Sequence, residues 1–405
     1  MKLRILTLCV LVLVASACSK KAEIPSTLEI TELVSPADSS SAEPYLFADD
    51  NGNVCLSWIG QPDDSSLLMF SQWNGSKWGA AQTIAAGRDW FVNWADYPAI
   101  AMHSNGKGVA HYLQKSAAST YAYDIKLSHT ADGGNTWSPA VTLHDDSTQT
   151  EHGFASISLY QDGFFISWLD GRNTMSGEHG HDSHDDHGNG GAMTLRGALL
   201  SSSGDKQDEW LLDDKVCDCC QTSSAITANG PIVVYRDRGD GEVRDISIVR
   251  LVSGEWTTPQ SIYQDQWMIN ACPVNGPRAA ARDSILAVAW YSESNSVSHV
   301  KVVFSQDAGR SFAEPITVGT AKAMGRVDIL LLDKESALVS WMEEGNVMAS
   351  RVYKDGTASE PTHLVATTSS RSSGFPQIAR AGDDILIAWT DATSRKVRTA
   401  MVRIP

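Results

Sequence analysis

Long apolar runs are almost absent from this 405-residue sequence; the clearest, residues 5–14, lies close to the N-terminus. That excludes a polytopic membrane protein. Positive charge is also scarce: 32 Lys and Arg stand against 48 Asp and Glu, a formal net charge of −16. A surface that acidic repels phosphate backbones, so general nucleic-acid binding is excluded. Sustained helical periodicity is missing throughout the rest of the chain. What remains is 42% hydrophobic, with 31 Gly and 14 Pro, which is neither a disordered chain nor a collagen-like rod.

The N-terminus reads as an export signal. Lys2 and Arg4 form a charged start, residues 5–14 an apolar core, and Ala15-Ser16-Ala17 precede Cys18. The apolar core is too short for a permanent transmembrane helix. Ala-Ser-Ala-Cys resembles a bacterial lipobox, with Ala15 where Leu is usual. The resemblance implies a signal peptide over residues 1–17, lipidation of Cys18, and a short tether to residue 27. Ser19, in place of Asp, favours the outer membrane of a Gram-negative cell. Ordinary secretory cleavage, with Cys18 incidental, is the other reading.

Residues 28–405 repeat. An apolar strand ending in an aromatic recurs every 48 to 67 residues, at Trp58, Tyr112, Trp168, Tyr235, Trp290, Trp341 and Trp389. Within each period a strand often led by Pro comes first, then the aromatic-ended strand, a third strand, a turn, and a fourth. Periods of this length with several short strands predict an all-β fold, a β-propeller of four-stranded blades. Seven blades are expected, six if one weak repeat is miscounted. The last repeat stops after its third strand at the C-terminus, and Leu28–Val34 has fourth-strand character without a repeat of its own. It is expected to close the ring, which also removes an exposed sheet edge.

Two turns carry a sharper motif. Thr130-Ala131-Asp132-Gly133-Gly134-Asn135-Thr136-Trp137 and Ser305-Gln306-Asp307-Ala308-Gly309-Arg310-Ser311-Phe312 resemble the Asp-box of the sialidase superfamily, the BNR repeat. Asp accepts backbone N–H bonds, Gly supplies an unusual dihedral, and the aromatic packs between blades. The resemblance implies a sialidase-like architecture and, if the protein is an enzyme, a glycosidase. The sialidase catalytic motif is not recognised: the chain has no Arg between Cys18 and Arg88, where the first arginine of the family's triad is due.

Unusual residues collect where a propeller places its ligand face. The lead-in to blade four holds Cys217, Cys219 and Cys220, and the lead-in to blade five holds Met268 and Cys272. An insertion in blade three, residues 173–191, contains His179, His181, His184 and His187. Thiolate, imidazole and thioether form a soft ligand set suited to copper or zinc. Export into an oxidising compartment equally allows the four cysteines to pair as disulfides. The histidine-rich loop is either a metal-gathering segment or a solvated insertion. Cys55 lies inside an apolar strand and reads as a small buried hydrophobe.

A charged group completes the candidates: Asp170, Arg172, Asp237, Arg238, Arg326, Asp328 and Glu343. Arg beside carboxylate at a propeller mouth binds an anionic or sugar ligand, or forms ion pairs that hold the ring. Glycoside hydrolysis needs two carboxylates about 5–9 Å apart across the substrate. The sequence therefore supports a membrane-anchored cell-envelope propeller that binds a ligand or soft metal ion without hydrolysis. A carbohydrate-active enzyme with a non-sialidase residue set, and an interaction platform for an envelope protein, are the alternatives. The expected contacts are a lipid bilayer through Cys18 and a small ligand, glycan or envelope protein at the propeller face.

Overall fold

The computed structural model describes residues 29–49, 51–174 and 191–403. Cys18 and the four loop histidines, His179, His181, His184 and His187, lie outside the described residues.

Seven antiparallel sheets follow one another in chain order, each built around four strands. Blade one runs from Ser41–Ala48 to Gln82–Gly87, blade three from His152–Tyr160 to Lys206–Asp213, and blade four from Ser223–Thr227 to Gln260–Tyr263. Helix is confined, among the described residues, to three single 3-10 turns. The sevenfold count matches the repeat of aromatic-ended strands. Each of those aromatics is in the second strand of its blade and is at most 8% exposed. Both faces of that strand are covered by neighbouring blades, so it reads as a continuous apolar run rather than an alternating one.

A buried indole N–H or phenol needs a partner, and the chain supplies acids for several. Trp168 donates to Asp170 at 2.9 Å and Trp341 to Glu343 at 2.9 Å, each two residues along its own strand. Trp290 donates to Asp265 at 2.6 Å, and the Tyr235 hydroxyl to Asp213 at 2.5 Å.

The ring is closed by Glu29–Leu33, which pairs antiparallel with Lys396–Arg403 from Glu29↔Arg403 to Leu33↔Thr399. The two motif turns have the same hydrogen bonds. Asp132 accepts from the Thr136 N–H (2.9 Å) and hydroxyl (2.7 Å), and Asp307 from those of Ser311 (2.9 and 2.6 Å). Gly134 and Gly309 sit at φ +90° and +80°, the left-handed region that a Cβ disfavours. Trp137 then meets Phe70 of blade one edge-on at 5.6 Å.

Three innermost strands carry a bulge near their start, with Glu43, Phe154 and Arg326 at positive φ. A bulge frees a backbone N–H from the ladder. In each case a side chain from another blade or a connecting segment accepts it: Thr390 for Glu43, Asp96 for Phe154, Asn275 for Arg326. Adjacent blades are thereby joined around the centre of the ring.

Candidate functional site

The segment 216–222 leads from blade three into blade four and is pinned at both ends. Val216 N–H donates to Met193 O, Cys217 N–H to Arg236 O, and the Gln221 amide bridges Ala95 O and Gly276 N–H. This holds Cys217 and Cys220 in the interior, 0% and 2% exposed, with Cys219 half-buried. The segment 264–277 leads into blade five and brings exposed Cys272 alongside.

Three of the four cysteines that the sequence places on two lead-ins form a tight cluster: the Sγ atoms of Cys217, Cys219 and Cys220 lie within 4.8 Å of one another, with Cys217 and Cys220 at 2.7 Å. Cys272, from the second lead-in, is close enough to Cys219 for the two thiols to shift one another's ionisation. All are free thiols. Burial opposes ionisation of Cys217, yet the Cys219 and Cys220 thiols and the Arg244 guanidinium outweigh it and hold Cys217 well below the usual thiol range. The Cys219 thiol likewise lowers Cys272, while Cys219 and Cys220 are pushed up.

Two buried cations attend the sulfurs. Arg244 is 2% exposed; its Nη2 donates to Glu242 at 2.6 Å, but Nε and Nη1 have no hydrogen-bond partner among the described residues. Arg236, 1% exposed, makes its hydrogen bonds to backbone carbonyls of Asn275, Arg244 and Tyr291 and stacks over Trp267 at 4.8 Å. A buried guanidinium without a full complement of anionic partners is costly. Thiolate charge next to it answers that cost.

The charged candidates are distributed among networks rather than gathered at one point. Asp170 is fully buried and receives Trp168 and both Nε and Nη2 of Arg172 (2.7 and 2.8 Å); Arg172 also reaches Glu209. Asp237 accepts from Ser247 and from Arg238 N–H, and Arg238 pairs with Glu242. Asp328 binds Arg278 of blade five and the Ile378 N–H of blade seven. Glu343 takes Trp341 and Thr320. These are contacts within and between blades. Arg326 differs: among the described residues it has no carboxylate in ion-pair contact, and its guanidinium lies 4.7 Å over Trp94.

Two groups were not singled out in the sequence. Tyr123 donates to Glu151 at 2.7 Å and to Asp96 at 3.2 Å, and burial pushes these acids up to about 8 and about 7. Asp218 and Cys272 also raise Glu151, so this acidic ladder borders the cysteine cluster. Glu43, likewise raised by burial and by Asp96, lines a cavity of about 270 Å³ with Trp94, Ser372, Thr390 and Arg395. The second group is His144 and His152, stacked at 3.6 Å with planes 4° apart and both near Asp146. One ion cannot use both rings in that arrangement. Their lone pairs lie in two nearly parallel planes, and a metal at about 2 Å from each nitrogen would sit far off both axes. The pair is a hydrogen-bonded stack: His152 Nδ1 already faces the carbonyls of Tyr123 and Thr150. His144, Asp146 and His152 fall within nine residues of sequence, on the segment that leads from blade two into the first strand of blade three.

No protein-family model and no curated protein matches the chain. Among solved structures, the polysaccharide lyase Uly1 is similar with a TM-score of 0.53 at 8% identity, over 90% of each chain. The NanB sialidase from Streptococcus pneumoniae is similar at 10% identity over 93% of this chain and 94% of that one, with a TM-score of 0.47. A PL25 ulvan lyase is similar at 14% identity over 77% and 79%, with a TM-score of 0.48. The likeness to Uly1 is one of fold.

Proposed function

We propose that this protein is an envelope-tethered propeller that binds a soft ion, of the Cu(I) or Zn(II) type, through Cys217, Cys219, Cys220 and Cys272, without hydrolytic chemistry. The observation that carries this reading is the company the sulfurs keep: a cluster drawn from two lead-ins beside Arg244, whose buried Nε and Nη1 are unpartnered. Glu242 takes only Nη2 of that cation, and metal-bound thiolates would supply negative charge beside the Nε and Nη1 it leaves unpartnered. The donor set itself is soft and closed to the hard cations Ca and Mg.

Anaerobically purified protein is expected to bind about one soft ion per chain and to show four fewer reactive thiols when loaded. Uptake should fall as pH drops, because protons compete with the ion for thiolate. A thiol titration near zero without reductant, together with no metal by elemental analysis, refutes the site in favour of disulfides.

The tether is proposed on the N-terminal sequence. Cys18→Ala should move the protein from the membrane fraction to the soluble one, since the acyl group on Cys18 is the anchor this reading assigns. Sedimentation with membranes after a salt wash would count against lipidation.

A second reading rests on the cavity lined by Glu43 and Trp94. An acid whose ionisation is opposed by burial, lining one cavity with an indole, suits a glycan. Turnover of an acidic or neutral polysaccharide that is lost in Glu43→Gln would establish it.

A further inference from the structure

We infer that the cysteine cluster is an exchange site, which passes its ion through Cys272 to and from a thiol-bearing partner protein. This rests on the metal reading above and names the partner's chemistry. The cluster is graded in depth. Cys217 and Cys220 are buried, Cys219 is half-buried, and Cys272 is exposed together with Asn270 and Ala271. Met268, two residues before Asn270, is 71% exposed and adds a soft, apolar surface to the same lip.

The backbone is graded in the same sense. Cys217 is fixed by its own N–H bond to Arg236 O. Cys272 lies in a stretch without strand structure, between the anchors Ile269 N–H to Glu242 O and Arg236 to Asn275 O. A structural metal site fills the ion's coordination with protein ligands held in a fixed geometry. This one fixes one pair of sulfurs and presents another at the surface.

Exchange at a thiolate-bound soft ion then has a defined course. The incoming thiolate forms its bond to the ion on the exposed side, and the bond to Cys272 breaks. The proton given up by the incoming thiol ends on Cys272. No electron is transferred, so no oxidant or reductant is required. Cys217 and Cys220, buried from the partner, hold the ion until the second partner thiolate bonds to it; their bonds to the ion then break, and the proton of the second thiol ends on that buried pair. A carrier with two cysteines in a Cys-x-x-Cys segment is the matching partner.

The test loads the full mature chain with Cu(I) anaerobically and mixes it with a synthetic Cys-x-x-Cys peptide, following copper loss from the protein. The rate should rise in proportion to peptide concentration. Ala271→Trp, which alters no ligand, should slow transfer at least tenfold while leaving copper affinity within twofold. Lys334→Trp, an equal bulk on an exposed turn of blade six, should leave the rate unchanged. Release independent of peptide concentration, or Ala271→Trp transferring at the wild-type rate, overturns the exchange site while the metal site stands. Failure of the wild-type chain to take up copper overturns both.

Discussion

The Cys219→Ser/Cys220→Ser chain is expected to take up no soft ion at concentrations that saturate the wild type. The two sulfurs connect the halves of the cluster. Cys219 is the cluster member whose ionisation is coupled to Cys272, and Cys220 lies 2.7 Å from Cys217. Without them Cys217 and Cys272 remain on separate lead-ins: two thiolates do not close a site for zinc, and a two-coordinate copper site would need both of these sulfurs on one ion without the two that lie between them. A companion substitution separates coordination from disulfide bonding. Arg244→Met keeps the buried volume and removes the charge. If the sulfurs are metal-bound thiolates, that loss should weaken ion affinity by about 10- to 100-fold, the usual effect of removing a supporting group behind the ligands. If they are disulfides, Arg244→Met should leave ion binding absent as in the wild type and lower stability through the lost Arg244–Glu242 pair. The disulfide case also predicts a loss of roughly 2–5 kcal/mol when one bridge is removed. Isothermal titration with Cu(I) and thermal unfolding of both variants distinguish the two outcomes.

The fold was legible in the sequence because one strand per blade is buried on both faces. Trp58, Trp168, Trp290, Trp341 and Trp389 fill the same place in successive blades, so packing repeats the residue and the repeat reveals the blade. The turns at Asp132 and Asp307 were legible for a local reason: the bonds that the two carboxylates accept from Thr136 and Ser311 are made within five residues. The cysteine cluster was half legible. Cys217, Cys219 and Cys220 are neighbours in sequence, while Cys272 joins them only because consecutive lead-ins share one end of the ring. The ladder of Glu43, Asp96, Tyr123 and Glu151 gave no signal at all. Its members come from blades one, two and three and its character comes from burial, which raises each acid; no spacing encodes it. Asp170 and Glu343 show the converse. They stand out in sequence as acids ending a strand, and the structure gives them the indole N–H two residues back.

Deleting residues 28–34 is expected to lower the melting temperature by on the order of 10 °C. The strand Glu29–Leu33 supplies the outer edge of blade seven, and its partner Lys396–Arg403 has no other strand on that side. The deletion removes the ladder from Glu29↔Arg403 to Leu33↔Thr399, at about 0.5–1.5 kcal/mol net per hydrogen bond. It also removes the packing of Ile30 and Leu33 against two core clusters, and the ion pair of Glu32 with Arg398. The ion pair is exposed and contributes little. The ring would not fall open entirely, because the next segment still clips to the same strand: Ser35 donates to Val397 O at 2.7 Å, and Val397 N–H to Ser41 Oγ at 3.0 Å. What changes is the edge. Lys396–Arg403 would present unpaired backbone groups beside Val397, Ala400 and Val402, all buried in the intact ring. An edge of that kind pairs with other chains, so the truncated protein should also aggregate as it unfolds. Scanning calorimetry with light scattering reads both effects. An unchanged melting temperature would mean that the Ser35–Ser41 clip alone closes the ring.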